Sequence, residues 1–366
     1  MAMRVLLNDL GRHAASTEGP VRDAVDRVLK SGWYILGREG EAFEHEFAHY
    51  CGAQNCISVA NGTDAIELGL RALGVGQGGR VATVANAGLY TTTALNALGA
   101  EPVFVEVDRE SRLMDLEHLR RVVARGDINA VVVTHLFGLL HDMEAILQIT
   151  SEAGVPVFED CAQAHGASRG GRRAGSFGAA ASFSFYPTKN LGALGDGGAI
   201  TTNDAEVANK VRHLRQYGWE SKYRAVMNGA RNSRLDEIQA AILRAKLPAL
   251  DAWNQRRREI ATRYSKEITN PRVVCPPLYG EEYVAHLYVI ATADRDSLRT
   301  HLSAAEVSTD IHYPIPDYRQ PAIKGQRDWD HLPVTDLLSD QILTLPCYPE
   351  LTEDEVSYVI TCINDW

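Results

Sequence analysis

Apolar segments alternate with amphipathic segments over residues 57–204, and no other feature constrains the fold of this chain as strongly. The predicted strands are 56–60, 81–85, 102–107, 130–134, 155–158, 181–185 and 199–202. The run Val131, Val132 and Val133 is apolar throughout, as expected where helices cover both faces of a sheet. We therefore expect an α/β fold with a central, mostly parallel sheet.

Helical patterns fill the intervals between these strands. Apolar residues at helical spacing predict helices at 63–73, 91–98, 116–125, 143–153 and 205–215. A longer pattern at 235–268 contains Pro248, which should kink or divide it. Beyond residue 275 we expect strands at 285–291 and 309–313, with helices at 297–305 and 352–363. Because 366 residues exceed one ordinary core, we predict a large α/β domain at 1–250 and a small α+β domain at 251–366.

The composition excludes several classes of protein. Hydrophobic residues make up 45% of the chain, and no apolar run is long enough to cross a bilayer. The net charge of −10, with no extended basic cluster beyond Arg256–Arg258, argues against nucleic acid as a partner. The first residues do not resemble a secretion signal, so we expect a cytoplasmic protein. The histidines and cysteines lack ligand spacing, and no metal is expected.

One lysine, Lys189, stands between an aromatic strand and a glycine-dense turn. A lysine amine attacks an aldehyde efficiently only when it is held near the aldehyde and shielded from water. A lone loop lysine is more often a solvated surface charge. The setting of Lys189 instead indicates a lysine that forms a Schiff base with a cofactor.

Asp160 ends the strand that precedes the strand leading to Lys189. Ligands of open α/β sheets bind at the carboxyl ends of the strands, so Asp160 and Lys189 could reach the same edge. A carboxylate there could keep a pyridine nitrogen protonated, which makes pyridoxal phosphate an electron sink. The alternative is that Asp160 caps the following helix.

A helix is predicted to open at Gly62 and Thr63, directly after Asn61. Free N–H groups at a helix N-terminus bind phosphate, although most Asn-Gly-Thr triplets are simple turns. Ser184 is a candidate further donor to that phosphate. Tyr90 directly precedes the helix predicted at 91–98, where it could stack on a flat ring or be a half-buried tyrosine.

Taken together, these motifs resemble those of the DegT/DnrJ/EryC1/StrS family, the fold-type I, pyridoxal-phosphate-dependent sugar aminotransferases. The resemblance covers nearly the whole chain. The matching motifs stand at residues 31–37, 61–64, 159–166, 232–241, 312–314 and 345–349.

The resemblance implies a role for each cofactor-side residue. Lys189 would bond the cofactor covalently and later shuttle the proton during turnover, when the cofactor becomes pyridoxamine phosphate. Asp160 would pair with the pyridinium nitrogen, Gln163 would hydrogen-bond the phenolic oxygen, and Tyr90 would stack on the ring. The residues implied to hold the phosphate are Gly62, Thr63 and Ser184.

The resemblance also implies the substrates and a partner. L-Glutamate would donate an amino group to a nucleotide-linked keto sugar. A loop of a neighbouring subunit completes the site in this family, and Asn232 matches that position, so a homodimer is expected. Residues matching the substrate side are Tyr34, Tyr217, Arg234, His312 and Tyr313. We expect His165 to be structural.

The position aminated is expected to be C3. Phe185–Ala193 resembles members that act on 3-keto sugars, whereas members that act on 4-keto sugars often place a histidine where Tyr186 stands. Other activities stay open: amination of a 4-keto sugar or a cyclitol ketone, an aminodehydroquinate-type synthase, and a non-catalytic regulatory or binding protein. The presence of Lys189 argues against the dehydrases that replace this lysine by histidine. A Rossmann dehydrogenase is disfavoured because no Gly-x-Gly-x-x-Gly turn follows the first strands.

Overall fold

A seven-stranded sheet forms the centre of the computed structural model, which describes residues 3–323 and 331–366. Its strands stand in the order Asn55–Val59 (β1), Gly198–Thr202 (β9), Ala180–Ser184 (β8), Val157–Asp160 (β5), Ala130–Thr134 (β4), Arg80–Val84 (β2) and Glu101–Val105 (β3). Only β9 runs against the other six strands, because its pairings with β1 and β8 are antiparallel and the remaining pairings are parallel. The prediction of an α/β fold with a mostly parallel sheet is confirmed. The strands are β1 (Asn55–Val59), β2 (Arg80–Val84), β3 (Glu101–Val105), β4 (Ala130–Thr134), β5 (Val157–Asp160), β6 (Ser168–Arg169), β7 (Arg172–Arg173), β8 (Ala180–Ser184), β9 (Gly198–Thr202), β10 (Trp219–Ser221), β11 (Arg224–Ala225), β12 (Tyr288–Ala291) and β13 (Ile342–Leu345).

Helices cover both faces of this sheet. Val131 and Val133 of β4 pack into the core on one face, and Val132 packs into a second core on the other. The apolar run in the sequence is explained by this double burial. The helices are α1 (Leu10–Ser31), α2 (Arg38–Cys51), α3 (Gly62–Ala72), α4 (Tyr90–Leu98), α5 (Leu116–Val123), α6 (Met143–Ser151), α7 (Ala205–Leu214), α8 (Glu237–Lys246), α9 (Leu250–Glu267), α10 (Arg295–Ala304), α11 (Pro333–Gln341) and α12 (Glu353–Asn364).

The long helical pattern of the sequence is divided as Pro248 predicts. A 3₁₀ turn at Leu247–Ala249 separates α8 from α9, because proline cannot donate the backbone hydrogen bond that would continue the helix. α9 leads into the C-terminal segment, where β12 and β13 pair antiparallel. The division into domains at residue 250 stays a prediction.

Two C-terminal strands differ from the sequence prediction. Residues 309–313 form no strand: Asp310 makes an isolated bridge to Thr344, and Pro314 and Pro316 follow, which cannot donate to a ladder. The strand expected at 285–291 begins only at Tyr288, because Ala285 has a φ of 44°, outside the extended region.

The start of α12 follows its sequence signature. Thr352 accepts a hydrogen bond from the Glu355 N–H (3.2 Å), and the Glu355 carboxylate accepts one from the Thr352 N–H (2.9 Å). This is the reciprocal capping box that the sequence predicts. Across the described residues, no helix combines the length and apolar character needed to cross a membrane.

Candidate active site

A cavity of about 710 Å³ opens at the carboxyl ends of the sheet strands. Open parallel sheets place their ligand sites at this edge. The cavity walls come from the starts of α3 and α4, the end of β5, the loop after β8 and the segment before Pro314. Nine of the residues singled out from the sequence line it: Gly62, Thr63, Tyr90, Asp160, Gln163, Ser184, Lys189, His312 and Tyr313.

Asp160 and Lys189 meet in this cavity because their strands are neighbours. β5 and β8 pair in parallel, with Asp160 opposite Ser182. The Asp160 carboxylate accepts hydrogen bonds from the Ala162 N–H (3.1 Å) and the Thr134 hydroxyl (3.4 Å). Turns rather than a helix follow Asp160, so the helix-cap alternative is wrong.

Burial shifts the protonation of both groups. It raises the pKa of the Asp160 carboxyl, an effect that the Ala162 N–H and the Lys189 ammonium oppose. Burial lowers the pKa of Lys189 to about 8, while the negative charge of Asp160 acts in the other direction. A lysine with this pKa is partly neutral near pH 7 and can act as a nucleophile.

Backbone hydrogen bonds within the loop that carries Lys189, and the buried side-chain amide of Asn190, hold this loop in place. Lys189 N–H donates to the Tyr186 carbonyl, and Ala193 N–H donates to the Phe185 carbonyl, both at 2.8 Å. The Asn190 side chain behind the lysine donates to Asn254 Oδ1 at 2.8 Å. These contacts fix the backbone from which the amine extends.

The start of α3 is arranged as an anion site. Asn61 caps the helix by accepting from the Asp64 N–H (2.8 Å), and its carbonyl accepts from the Ala65 N–H (3.1 Å). Within the described residues, the N–H groups of Gly62 and Thr63 have no hydrogen-bond partner. A Cβ on Gly62 would lie 2.7 Å from the Ser184 Cβ, so only glycine allows this close approach.

The Gln163 amide is oriented by two hydrogen bonds. Its Oε1 accepts from the Phe137 N–H (2.6 Å), which turns the amide nitrogen towards Tyr313, whose hydroxyl accepts from it at 3.1 Å. The ring of Tyr313 also meets that of Tyr90 edge-on, with centroids 6.1 Å apart. Tyr90 is 50% exposed, so one side of its ring is free to contact a flat ligand.

Four predicted site residues lie outside this cavity. The Arg234 guanidinium is 5.8 Å from the ring centroid of Tyr217, and Asn232 bridges to Gln216 next to that tyrosine. Tyr34, 48% exposed, accepts from the Glu237 N–H through its carbonyl. Asn232, Tyr34, Tyr217 and Arg234 therefore do not line the cavity of their own chain, and their roles stay predictions.

His165 is buried between the rings of Phe183 and Phe185 and does not line the cavity. Burial lowers its pKa to about 3, so its ring is neutral near pH 7. This environment agrees with the structural role expected from the sequence.

Two further residues, Arg257 and His286, line the cavity and were not predicted from the sequence. Arg257 is the middle residue of the basic cluster Arg256–Arg258, yet it is only 5% exposed. His286 hydrogen-bonds Asn190 at 2.9 Å, and burial keeps its pKa well below the usual range. Neither residue lies in a motif whose local spacing indicates chemistry, so only the tertiary structure identifies them.

Comparison with known proteins agrees with this geometry. The model of the DegT/DnrJ/EryC1/StrS aminotransferase family matches residues 17–364. The chain is 45% identical over 348 residues to the dTDP-3-amino-3,6-dideoxy-alpha-D-galactopyranose transaminase of Aneurinibacillus thermoaerophilus, covering 94% of each chain. It is 42% identical over 353 residues to the dTDP-3-amino-3,4,6-trideoxy-alpha-D-glucose transaminase of Micromonospora megalomicea subsp. nigra, again covering 94% of each.

A solved structure shows the same fold. The X-ray structure of S. venezuelae DesV in complex with a ketimine intermediate matches with a TM-score of 0.95 and 39% identity, covering 99% of this chain and 98% of that one. The resemblance read from the motifs is thereby confirmed. The chain belongs to the DegT/DnrJ/EryC1/StrS aminotransferase family, whose members use pyridoxal phosphate.

Proposed function

We propose that this protein transfers the amino group of L-glutamate to C3 of a nucleotide-linked keto-deoxysugar. The observation that carries the proposal is that Lys189 and Asp160 line the same cavity, where the pKa of the lysine is lowered to about 8. Membership of the aminotransferase family supports the reaction class. The two relatives named above as 3-amino-sugar transaminases support position C3 and a dTDP-linked acceptor.

Three parts of the cavity have groups suited to binding pyridoxal phosphate. The unpartnered N–H groups of Gly62 and Thr63, with the nearby Ser184 hydroxyl, would hold the phosphate. The Asp160 carboxylate would pair with the pyridinium nitrogen. The amide nitrogen of Gln163 has a second N–H, which would donate to the phenolic oxygen, as its fixed orientation allows.

Tyr90 completes the cofactor side of the cavity. Its free ring face would stack on the pyridine ring. When bound, the cofactor supplies an electron sink for the bonds at the amino carbon.

Lys189 would have two roles. Its amine would hold the cofactor covalently in the resting enzyme, and when its amine is free it would take or give the proton at the substrate carbon. A pKa of about 8 suits both tasks, because the amine is then neither fully protonated nor a poor proton donor near neutral pH.

His312 and Tyr313 are proposed to contact the keto sugar. Both line the cavity, and the Nδ1 atom of His312 is held 2.8 Å from the Thr344 hydroxyl. Burial lowers the pKa of His312, which favours a neutral ring for hydrogen bonding with sugar hydroxyls.

We propose a homodimer in which each subunit completes the site of the other, and a cytoplasmic location. Asn232, Tyr34, Tyr217 and Arg234 would then serve the neighbouring cavity. Exposed aromatic side chains support an interface around Tyr217: its ring contacts that of Trp219, which contacts that of Tyr223, and Tyr223 is 78% exposed. Large exposed aromatic residues grouped on one surface commonly mark protein contacts.

The proposal is tested by supplying purified protein with pyridoxal phosphate, L-glutamate and separate dTDP-, GDP- and UDP-linked keto sugars. Mass spectrometry should detect an amino sugar from a 3-keto substrate. Product from 4-keto sugars alone would refute the position. A protein with bound cofactor that aminates no nucleotide sugar would refute the substrate class.

A further inference from the structure

Glu67 is a buried carboxylate on α3 that is held by two arginines. It is 1% exposed, and it accepts hydrogen bonds from Arg71 (3.3 Å) and from Arg231. Arg71 stands one turn further along the same helix, so its pair with Glu67 stays within α3. Arg231 comes from a distant segment, and it also donates to Asp64 of α3 at 3.2 Å. Because a buried carboxylate is stabilised by its charge partners, Arg231 ties its own segment to α3.

The residues on either side of Asn232 are fixed to the body of the subunit. Ser233 is fully buried: its hydroxyl accepts from the Ala60 N–H (3.1 Å), and its N–H donates to the Arg215 carbonyl (2.9 Å). Arg231, on the other side, makes the ion pairs with α3. Asn232 itself is exposed. The exposed amide therefore stands on the surface of its own subunit, between two anchored neighbours.

The segment that carries Asn232 depends on such contacts for its position. Residues 226–236, between β11 and α8, form no helix or strand. A segment of this kind is only as well ordered as the contacts that its side chains and backbone make. A Cβ at Gly229, where φ is 74°, would collide with the Arg71 guanidinium, so only glycine lets the chain pass so close to α3. Arg231 follows two residues later and adds the ion pairs.

We propose that Arg231 is a positioning residue that sets Asn232 for the cofactor site of the neighbouring subunit, an inference that rests on the proposed function. Asp64 and Glu67 hold the guanidinium of Arg231, and Arg231 holds the backbone from which the Asn232 amide extends. The same helix, α3, opens with the N–H groups proposed to bind the phosphate of its own subunit. α3 would thereby support two sites, its own directly and the neighbouring one through Arg231.

The first test is the affinity of the apoprotein for pyridoxal phosphate, measured by equilibrium dialysis. Asn232→Ala should weaken binding at least about tenfold, because it removes an amide proposed to bind the charged cofactor. Arg231→Met should weaken binding at least about fivefold, because the segment must then be ordered on binding. Glu67 keeps Arg71 as its partner in this variant, so the buried carboxylate is not left without a cation. The combined variant should bind no more weakly than Asn232→Ala alone, since Arg231 acts through Asn232.

Two mixed dimers, each with a single intact Lys189, show which subunit's site depends on Arg231. In the first, Arg231→Met is in the subunit with intact Lys189, and the other subunit carries Lys189→Ala. In the second, Arg231→Met and Lys189→Ala are in the same subunit. Differently tagged subunits allow each mixed dimer to be isolated, and borohydride reduction at increasing pyridoxal phosphate reports the occupancy of Lys189. Compared with a dimer of wild type and Lys189→Ala, the affinity should be unchanged in the first and at least about fivefold weaker in the second.

Two further variants serve as controls. Arg263→Met is matched to Arg231→Met, because Arg263 also binds two carboxylates, Glu267 at 2.8 Å and Glu353 at 2.7 Å, but stands on α9 and does not line the cavity. Its affinity for the cofactor should stay within about twofold of wild type. Arg231→Lys keeps the charge but not the planar fork that reaches both carboxylates, so it should weaken binding about two- to threefold.

Each outcome supports or overturns the role of Arg231. Wild-type affinity in Arg231→Met, an equal loss in Arg263→Met, or additive losses in the combined variant would overturn it. Weak binding in the first mixed dimer with normal binding in the second would assign Arg231 to its own subunit's site and also overturn it. In these cases weakened binding by Asn232→Ala leaves the proposed shared site intact, whereas wild-type binding by Asn232→Ala would overturn the shared site as well. If Arg231→Met does not fold, Arg231→Lys in the same two mixed dimers decides.

Discussion

The Asp317 carboxylate accepts a 2.6 Å hydrogen bond from the hydroxyl of Thr92 in the first turn of α4. It also accepts a 2.9 Å bond from the N–H of Leu89, whose φ of 68° places it in the left-handed region. Tyr90 follows directly and lines the cavity. The chain segment that supplies His312 therefore also fixes the position of the tyrosine on the cofactor side.

Asp317 should make the stability of the protein depend on pH. Its carboxyl is 1% exposed, and burial raises its pKa to about 6, against about 3.9 in an unfolded chain. Because the folded pKa is the higher one, the stabilising contribution is fully present below about pH 4 and is lost as the pH rises through 6. Urea unfolding should show the free-energy difference between wild type and Asp317→Asn falling by about 2–3 kcal/mol from pH 4 to pH 7. A difference that is constant or rises over this range would contradict the raised pKa.

Lys189 should set the pH dependence of cofactor attachment. Only the neutral amine attacks the aldehyde, and the pKa of Lys189 is lowered to about 8. The rate at which apoprotein takes up pyridoxal phosphate, followed by visible absorbance, should rise about tenfold per pH unit below 8 and level off above it. Levelling off near pH 10 instead would show an ordinary exposed lysine.

Lys246 provides a matched control for this attachment. Burial also lowers its pKa to about 8, but its amine donates to the Gly192 carbonyl at 2.8 Å and does not line the cavity. After borohydride reduction, peptide mapping should find the cofactor on Lys189 and not on Lys246. Lys189→Ala should abolish both the label and turnover, and Lys189→Arg should abolish turnover while keeping weak cofactor binding.

Asp160→Asn should separate cofactor binding from catalysis. The asparagine keeps the size of the side chain and an acceptor for the Ala162 N–H, but it cannot hold a proton on the pyridine nitrogen through its charge. The turnover number should fall about 100- to 1,000-fold, with cofactor affinity reduced less than about tenfold. Stopped-flow kinetics and equilibrium dialysis measure the two quantities. Full turnover in Asp160→Asn would remove Asp160 from the proposed site.

If each active site is shared between two subunits, two different inactive variants should restore activity when they form a mixed dimer. Lys189→Ala loses its own amine, and Asn232→Asp damages the site of the neighbouring subunit. In a mixed dimer one site contains the intact Lys189 of one subunit and the intact Asn232 of the other. Co-expression in equal amounts should therefore yield about one quarter of wild-type activity, since half of the dimers are mixed and each has one working site. Activity no higher than that of the separate variants would argue against sites shared through Asn232.

The local signals of the sequence predicted the large sheet well. Each predicted strand between residues 57 and 204 lies within two or three residues of an observed one, because double burial produces runs such as Val131–Val133. The prediction was weaker at the C-terminal end. Residues 309–313 read as a strand by composition, but the following Pro314 and Pro316 and the single bridge at Asp310 take the segment out of the sheet.

In the candidate site, residues that belong to local motifs were predicted, and residues placed by contacts distant in sequence were not. Lys189, Asp160 and Gly62 stand at strand ends and a helix start, where local spacing carries information, and they lie together in the cavity. Arg257 and Asp317 reach the site through contacts with residues far away in the chain, such as Cys347 and Thr92. No periodicity or motif spacing encodes such contacts, so they required the structure.

An isotope experiment tests the transfer of nitrogen from glutamate to C3 of the sugar. The enzyme is given pyridoxal phosphate, ¹⁵N-labelled L-glutamate and a dTDP-linked 3-keto-6-deoxyhexose, and the product is analysed by NMR. We expect ¹⁵N to be bonded to C3 of the sugar made by wild type, and we expect no labelled sugar from Lys189→Ala. Labelled nitrogen at another carbon, or no labelled sugar from wild-type enzyme that carries the cofactor, would contradict this expectation.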